Sequence, residues 1–336
     1  MVSIKDVALK CGVSISTVSK AINGRNDVSP SLTEKIVSTA AEMGYRPNAI
    51  ARTLKTNRSY LISVIFEDKT KTGLAHEYFS VLINSIKDEA EKKGYDIIFS
   101  SKNIGQSRMD FYEHSKYRNC DGVIIVSADF ESQEILRLVK SEIPVVTVDH
   151  VFTEKTAVLN DNINSINSLV DYVVEKGHKK IAFIHGENTA VTQKRLASFY
   201  KACENHSITV PDEYIVSAIY HDPKSSGQAT RTLMSLKNRP TCIFYPDDFS
   251  FLGGMTELEK WNCSYPKDIS VIGYDGINLS QVLRPKLTTF KQNSEEVGKT
   301  AVQKLIENIE KPKMFIPEQI TVMGDILIGD SVKDIN

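Results

Sequence analysis

The stretch that decides the fold is Ser3-Ile4-Lys5-Asp6-Val7-Ala8, Cys11-Gly12-Val13-Ser14 and Thr17-Val18-Ser19-Lys20-Ala21-Ile22-Asn23. It predicts two short helices joined by a sharp turn at Gly12. Ser3 and Asp6 form a capping box for the first helix, and Ser14 can cap the second. Each helix carries one apolar face at i, i+3, i+4 spacing. Such a pair is typical of a helix-turn-helix, whose second helix lies in the DNA major groove.

The residues of the second helix outside its apolar face are the candidates for contacting DNA, namely Ile15, Ser16, Thr17, Ser19, Lys20 and Asn23. Ile15 has no folding role on an exposed helix surface, but it can contact a thymine methyl group. Ser16 and Lys20 lie one turn apart and could reach base edges. The alternative is an ordinary helical hairpin with a solvated face.

A third helix is predicted over residues 30–43, with Ser29 as its cap, Pro30 at its first position and Gly44 at its end. Its predicted core stripe is Leu32, Ile36, Val37 and Ala40. The three helices define a headpiece over residues 1–46.

A hinge and linker follow at residues 47–58. Pro47 interrupts the chain, and Asn48 is a good cap for a helix of two turns. A helix that short is marginal alone in water. We therefore expect it to fold only against a dimer mate or DNA.

The charge is distributed unevenly along the chain. Residues 1–60 hold nine Lys and Arg against four Asp and Glu, and the remainder holds 32 against 38. A basic head on an acidic body is expected when only one end of a protein meets phosphate.

Several protein classes are disfavoured by the sequence. No apolar run approaches the ~20 residues that cross a bilayer, and the N-terminus has no apolar signal segment. Five scattered cysteines without a CxxC motif indicate reduced cytosolic thiols. No nucleophile elbow, phosphate-binding glycine loop or Cys/His metal spacing is present. We therefore expect no enzyme activity, no cofactor, no metal site and no membrane partner.

Beyond residue 60, strand-like and helical patterns alternate. The predicted strands cover residues 61–66, 95–99, 122–126, 145–148, 180–184, 241–245 and 270–273. The predicted helices cover residues 75–93, 131–140, 163–176, 190–204 and 249–261. This alternation is typical of an α/β fold with parallel sheets covered on both faces, and two sets of strands predict two doubly wound subdomains.

Polar residues fall where these strands end, and ligands bind at the carboxyl ends of strands in such folds. Asp149, Asp247, Asp248 and Asp275 each follow a predicted strand, and Arg195 lies on the helix after another. Carboxylates and a guanidinium group together can hydrogen-bond vicinal hydroxyls, which suits a sugar. The alternative, which we prefer for Asp248, is that a strand-end Asp caps the next helix.

The chain resembles the lactose-repressor (LacI/GalR) family of bacterial transcription regulators. The resemblance is carried by Ile4-x-Asp6-Val7-Ala8, Gly12-Val13-Ser14, Thr17-Val18-Ser19 and Tyr45-x-Pro47-Asn48-x-x-Ala51-Arg52-x-Leu54. Further hallmarks are Gly177-His178-Lys179-Lys180-Ile181, Pro266-x-Asp268-Ile269-Ser270-Val271-Ile272-Gly273-Tyr274-Asp275 and Leu287-Thr288-Thr289. The resemblance extends over nearly the whole chain.

The resemblance implies that the hinge helices of two subunits pair in the minor groove, where Leu54 acts as a wedge that kinks the duplex. The further DNA contacts it implies in the hinge are Asn48, Ala51 and Lys55. It also implies a periplasmic-binding-protein-like core with chain crossings near residues 161, 290 and 322. The N-subdomain would then comprise 59–161 and 291–321, and the C-subdomain 162–290 and 322–336, with the effector cleft between them.

For the effector, the resemblance implies contacts from Arg195 and Asp275. Tyr78 and Phe79 match an aromatic pair at the cleft mouth, and Tyr220 matches a stacking ring. Such rings stack on a sugar or on a purine, and core packing is a competing role for Phe79. Asp275-Gly276 stands where the family often has two polar residues, so the effector's identity cannot be transferred from a relative.

We therefore expect a cytoplasmic, nucleoid-associated bacterial homodimer that binds a palindromic operator. The predicted function is repression of a carbohydrate-utilisation operon under control of a small sugar or sugar derivative. The alternative is a repressor responding to a purine or other metabolite. A sugar-binding transport protein or an enzyme is disfavoured by the N-terminus.

Overall fold

A computed structural model describes residues 2–22, 24, 27–46, 58–68 and 73–336 of the chain. The chain divides into two compact units, Met1–Ser59 and Tyr60–Asn336. The hinge residues Asn48, Ala51, Leu54 and Lys55, and Asn23 of the headpiece, lie outside the described residues.

The first unit contains three helices, α1 (Ile4–Cys11), α2 (Ile15–Ile22) and α3 (Pro30–Glu42). The predicted capping box is confirmed, because the Ser3 side chain accepts from the Asp6 amide and the Asp6 carboxylate accepts from the Ser3 amide. Gly12 ends α1 with φ +69°, a left-handed conformation that glycine adopts without strain. The turn predicted between the two helices is therefore present.

The core of the headpiece is built from one face of each helix and consists of Val7, Ala8, Cys11, Val18, Ala21, Ile36 and Ala40. The assignment of Val37 to this core was wrong, because its side chain is 48% exposed. Ile36 and Ala40 are four residues apart and share a face, whereas Val37 is rotated about 100° from Ile36. The Ser29 side chain makes no capping hydrogen bond either.

The second unit alternates strands and helices, in this order up to residue 160: β1 (Leu61–Phe66), α4 (Glu77–Lys92), β2 (Asp96–Phe99), β3 (Asn103–Ile104), β4 (Ser107–Arg108), α5 (Phe111–Tyr117), β5 (Gly122–Ser127), α6 (Gln133–Val139), β6 (Val145–Val148) and β7 (Thr156–Asn160). It continues with α7 (Asn164–Glu175), β8 (Ile181–His185), α8 (Ala190–Asn205), β9 (Ile215–Ser217), α9 (Pro223–Ser235), β10 (Cys242–Phe244), α10 (Phe251–Lys260), β11 (Ser270–Asp275), α11 (Asn278–Val282), β12 (Thr288–Lys291), α12 (Ser294–Glu310), β13 (Gln319–Val322) and β14 (Asp325–Leu327). Two single 3-10 turns cover Gly73–Ala75 and Asp212–Tyr214.

Twelve of these strands form two six-stranded sheets, in the orders β13-β7-β6-β5-β1-β2 and β14-β12-β11-β10-β8-β9, and β3 and β4 form a separate antiparallel pair. Within the two large sheets, all pairings are parallel except that of β14 with β12. The chain passes from the first sheet to the second after β7, returns to the first after β12, and leaves it again between β13 and β14. The fold therefore contains two doubly wound subdomains, as the strand-helix alternation predicted.

The central strands are buried on both faces, which is typical of parallel sheets covered by helices. Strands β6 (Val-Val-Thr-Val) and β7 (Thr-Ala-Val-Leu-Asn) are buried at every position. Helices α4 and α12 cover the first sheet and share its apolar core with β1 and β5. Among the described residues, no helix is both long and apolar enough to cross a bilayer.

Candidate functional site

The outward face of α2 presents the residues predicted to contact DNA. Ile15 is 43% exposed and Ser16 is exposed. Thr17 and Ser19 are partly buried, and Thr17 belongs to the helix cap, since its amide donates to the Ser14 hydroxyl at 3.0 Å. The helix start is thus fixed by Ser14, as predicted, which leaves Ile15 and Ser16 as the most accessible of these side chains.

Lys20 forms an ion pair with Asp27, with 2.5 Å between Nζ and the carboxylate oxygen. The Lys20 side chain is 43% exposed. Exposed ion pairs are worth about 0–1 kcal/mol, so this contact is weak enough to be exchanged for DNA.

A cavity of about 800 Å³ lies in the second unit and is lined by both subdomains. Its wall includes every residue that the sequence assigned to the effector, namely Tyr78, Phe79, Asp149, Arg195, Tyr220, Asp247 and Asp275. Cavities of this size suit small-molecule ligands. Below, this cavity is called the cleft.

Arg195 is the buried cation of the cleft and lies on α8. Its Nε donates to Asn162 Oδ1 at 2.8 Å, and one Nη donates to the Pro246 carbonyl at 3.3 Å. The guanidinium carbon lies 3.6 Å from the centroid of the Tyr274 ring. These contacts fix the guanidinium group, which has further N–H donors for a bound ligand.

Asp149 lies between β6 and β7 with φ +56°. Its two oxygens accept from the backbone amide and the side-chain amide of Asn160, each at 2.7 Å. The Asn160 side chain also donates to the Tyr78 hydroxyl at 2.7 Å. Burial raises the pKa of the Asp149 carboxyl, and the Asn160 bonds and the charge of Arg195 oppose that rise.

Residues 160–162, here called the crossing segment, connect the two walls of the cleft. Asn160 is bonded to Asp149 and Tyr78 on the first subdomain, and Asn162 is bonded to Arg195 on the second. Asn160 and Asn162, which flank Asp161 in the chain, therefore hydrogen-bond to opposite walls of the cleft.

Asp275 is the last residue of β11 rather than a residue beyond it, and it has φ +99°. Its Oδ1 accepts from the Gln292 side chain at 2.6 Å. Its Oδ2 lies 4.0 Å from Nε2 of His76. Burial raises the pKa of this carboxyl, and the nearby His76 opposes the rise.

Asp247 and Asp248 differ in whether they line the cleft. Asp247 lines the cleft, but its oxygens already accept from the amide and hydroxyl of Ser250, each at 2.7 Å, and from the His221 amide at 2.9 Å. Asp248 does not line the cleft, and its carboxylate accepts from the Ile277 amide just before α11. Both side chains hold loops in place, and Asp247 in addition faces the ligand space.

Tyr220 forms part of the cleft wall. Its hydroxyl is 2.9 Å from the Thr192 hydroxyl, and its amide donates to the Glu187 carboxylate at 2.9 Å. A Cβ at position 186 would overlap the tyrosine ring, so Gly186 is needed for the ring to lie there. The position of Tyr220 in the cleft wall is thus fixed by its hydroxyl, its amide and the close approach of Gly186.

Several residues of the cleft were missed by sequence reasoning, namely His76, Asn160, Asn162, His221 and Gln292. The polar run at 160–162 follows an apolar stretch and could have been found as a strand end. The two histidines carry no such signal, because they are far apart in sequence and only the fold brings them together.

Two family models and a sequence relative match this chain. Residues 3–48 match the family described as bacterial regulatory proteins, lacI family, and residues 170–332 match the periplasmic binding protein-like domain. The chain is 30% identical over 341 residues to the HTH-type transcriptional repressor PurR of Vibrio vulnificus (strain CMCP6), with both chains covered completely.

Solved structures show the same fold. The lac repressor dimer bound to operator and the anti-inducer ONPF superimposes with a TM-score of 0.85 at 24% identity, covering 99% of each chain. The complex of the transcriptional regulator CelR with cellobiose superimposes with a TM-score of 0.72 at 20% identity, covering 98% of this chain and 100% of the other.

Proposed function

This chain belongs to the LacI family of bacterial regulatory proteins and is a DNA-binding transcription regulator rather than an enzyme, and we propose that it represses a carbohydrate-utilisation operon. A small sugar or sugar derivative bound in the cleft controls it. The observation that carries this proposal is the arrangement of the Arg195 guanidinium and the Asp149 and Asp275 carboxylates around one cavity with aromatic walls.

The chemistry of the cleft supports a polyhydroxylated ligand. Sugar hydroxyls donate to carboxylates and accept from guanidinium N–H groups, and charged partners make the stronger hydrogen bonds. Tyr220 and Phe79 supply ring faces for the apolar side of a sugar ring. One relative of this fold is described in complex with cellobiose, which is consistent with such a ligand.

A purine effector is the second candidate, and the ring-rich side of the cleft favours it. Phe79 lies 4.8 Å from Phe66 and 5.1 Å from Tyr78 between ring centroids. A planar base can stack on such rings. In that case substitutions of Tyr220 and Phe79 weaken binding more than substitutions of the carboxylates do.

Calorimetric titration of the full-length protein distinguishes the two candidates. The panel contains neutral monosaccharides and disaccharides, sugar acids, and purine bases and nucleosides. We expect one carbohydrate to bind with one site per chain and to change operator affinity. Binding of a purine with no carbohydrate bound would favour the second candidate, and no binding by any compound would contradict both.

We further propose the domain division introduced above, with a DNA-binding headpiece at 1–46, a hinge at 47–58 and the two core subdomains. The headpiece binds a palindromic operator through Ile15, Ser16, Thr17, Ser19, Lys20 and Asn23, and the hinge adds Asn48, Ala51, Leu54 and Lys55. A regulator acting on DNA in this way works in the bacterial cytoplasm, at the nucleoid.

Lys20→Ala is predicted to relax base preference at one position of each operator half-site. The reason is that Lys20 lies on the outward face of α2 and forms an exposed ion pair with Asp27. The expected cost is about 1–3 kcal/mol on the preferred operator. The affinity of the variant for a set of single-base operator variants tests this prediction. An equal loss of affinity on all of them would identify Lys20 as a phosphate contact instead.

The protein is predicted to be a homodimer formed through its core. A two-fold operator requires two headpieces, one from each of two subunits. Light scattering at micromolar concentration should give twice the chain mass of 37.6 kDa. A stable monomer or tetramer would contradict this prediction.

A further inference from the structure

Three side chains of metal-ligand type meet beside the cleft, and two of them, His221 and Asp275, line it. His76 precedes α4 in the first subdomain, His221 follows β9, and Asp275 ends β11 in the second subdomain. One candidate ligand atom from each lies within 4.8 Å of the other two. The two imidazole rings are 3.8 Å apart between centroids. The fold thus brings His76 of the first subdomain together with two residues of the second subdomain that follow it by 145 positions or more in the sequence.

Several polar atoms of this cluster lack hydrogen-bond partners among the described residues. Both ring nitrogens of His76 and the Oδ2 of Asp275 are buried and make no hydrogen bond among the described residues. His76 is 4% exposed and Asp275 is 6% exposed. Buried polar groups are nearly always hydrogen-bonded, so these atoms are arranged for something that the chain itself does not supply.

Another histidine of the same fold shows the contrast. His178 is equally buried, but its Nδ1 lies 2.9 Å from the Thr241 hydroxyl and its Nε2 lies 2.9 Å from the Ser270 hydroxyl. A histidine with a purely structural role is therefore fully satisfied in this protein. His76 is not.

The electrostatics of the cluster favour a cation. The carboxylates of Asp68, Asp247 and Asp275 act on both imidazoles. Carboxylates around two imidazole rings attract a positively charged ligand.

We propose that His76, His221 and Asp275 bind a divalent transition-metal ion of the zinc class. Two imidazoles and one carboxylate are ligands that such ions take, leaving one position for water or an effector oxygen. Ligand atoms of a tetrahedral zinc ion lie about 3.4 Å apart. His76 Nε2 and Asp275 Oδ2 are 4.0 Å apart and all three ligand atoms lie within 4.8 Å of one another, so the side chains would close on the ion by about 1 Å.

Polar groups lie beside two of the ligands. The Asp247 carboxylate lies 3.6 Å from Nδ1 of His221, a separation longer than a hydrogen bond. Gln292 donates to the second oxygen of Asp275. Carboxylate and amide groups in these positions orient metal ligands.

The ion would join the two subdomains, because His76 belongs to the first subdomain and His221 and Asp275 belong to the second. Metal binding then stabilises the arrangement of the cleft in which all three ligands meet. The proposal does not depend on the organic effector being a sugar.

The test uses the full-length protein after chelator treatment, with Zn²⁺ or Co²⁺ alone and no carbohydrate. We expect one ion per chain by calorimetry and visible Co²⁺ absorption of a four-coordinate site. His76→Gln, His221→Gln and Asp275→Asn should each lower Zn²⁺ affinity by at least tenfold. His206→Gln is the matched control, because His206 pairs with Asp171 at the surface, 2.6 Å away, and should bind as the wild type does.

A second variant covers the case in which a glutamine variant fails to fold. His76→Cys keeps a ligand at this position, and a thiolate on Co²⁺ adds a near-ultraviolet charge-transfer band that the wild type lacks. The absence of that band in a folded variant would overturn the proposal. Wild-type Zn²⁺ affinity in all three ligand variants, or no Zn²⁺ binding to the wild type at micromolar concentrations, would overturn it as well. Zinc binding without any carbohydrate response would leave this site standing and remove the proposed sugar effector.

Discussion

Arg195→Ala is expected to abolish the effector response and to leave operator affinity unchanged. The guanidinium group is buried and bonded to Asn162 and Pro246. Truncation of one partner of a buried, hydrogen-bonded charged contact with a ligand costs about 2–5 kcal/mol of binding free energy, and each 1.4 kcal/mol is tenfold in affinity. The effector midpoint should therefore rise by at least about 30-fold. Operator binding titrated against effector concentration measures it.

The matched control for this prediction is Arg231→Ala. Arg231 lies in the same subdomain on α9 and pairs with Glu257 at 2.8 Å, away from the cleft. It should respond to the effector as the wild type does. Asp275→Ala should behave like Arg195→Ala. If both cleft variants remain folded and respond with the wild-type midpoint, the cleft is not the effector site.

Ile36→Ala is expected to unfold the headpiece and abolish operator binding without affecting the core. Ile36 is fully buried in the headpiece cluster, which shares no residue with the clusters of the second unit. An Ile→Ala substitution in a core costs about 2–5 kcal/mol. A domain of this size rarely has more than about 3–5 kcal/mol in total. Electrophoretic mobility shift measures operator binding, and effector calorimetry reports on the core.

The neighbouring substitution provides the control. Val37→Ala removes a similar side chain that is largely solvent-exposed, so operator affinity should stay within about twofold of the wild type. Operator affinity near wild type for Ile36→Ala would contradict the packing of α3 against the other two helices.

The central elements of the fold were predictable because their sequence patterns are strong. Each of the seven predicted strands and five predicted helices of the core is present, with bounds shifted by at most two residues. The elements missed include four helices, of which α12 has 17 residues, and short edge strands such as β9 and β14, which have three residues each. Strands this short carry too few positions for a periodic pattern.

The site was predictable only in part. Strand-end position identified Asp149 and Asp275, and the resemblance identified Arg195 and Tyr220. His76 and His221 were not found, and the expectation of no metal spacing rested on short-range motifs alone. A ligand cluster assembled from two subdomains leaves no fixed spacing in the sequence. Such a cluster can be recognised only once the three-dimensional structure is known.

The strand order of the first sheet has a consequence for synthesis of the chain on the ribosome. Strand β7 is complete at Asn160, but the strand that pairs with its outer edge, β13, ends at Val322. At about 5–20 residues per second, the ribosome needs roughly 8–30 s to make the intervening chain. During that interval the nascent protein carries an unpaired, apolar Thr-Ala-Val-Leu-Asn edge, the kind of surface on which chains associate wrongly. The second subdomain is made in the same interval, so it can fold before the first is closed.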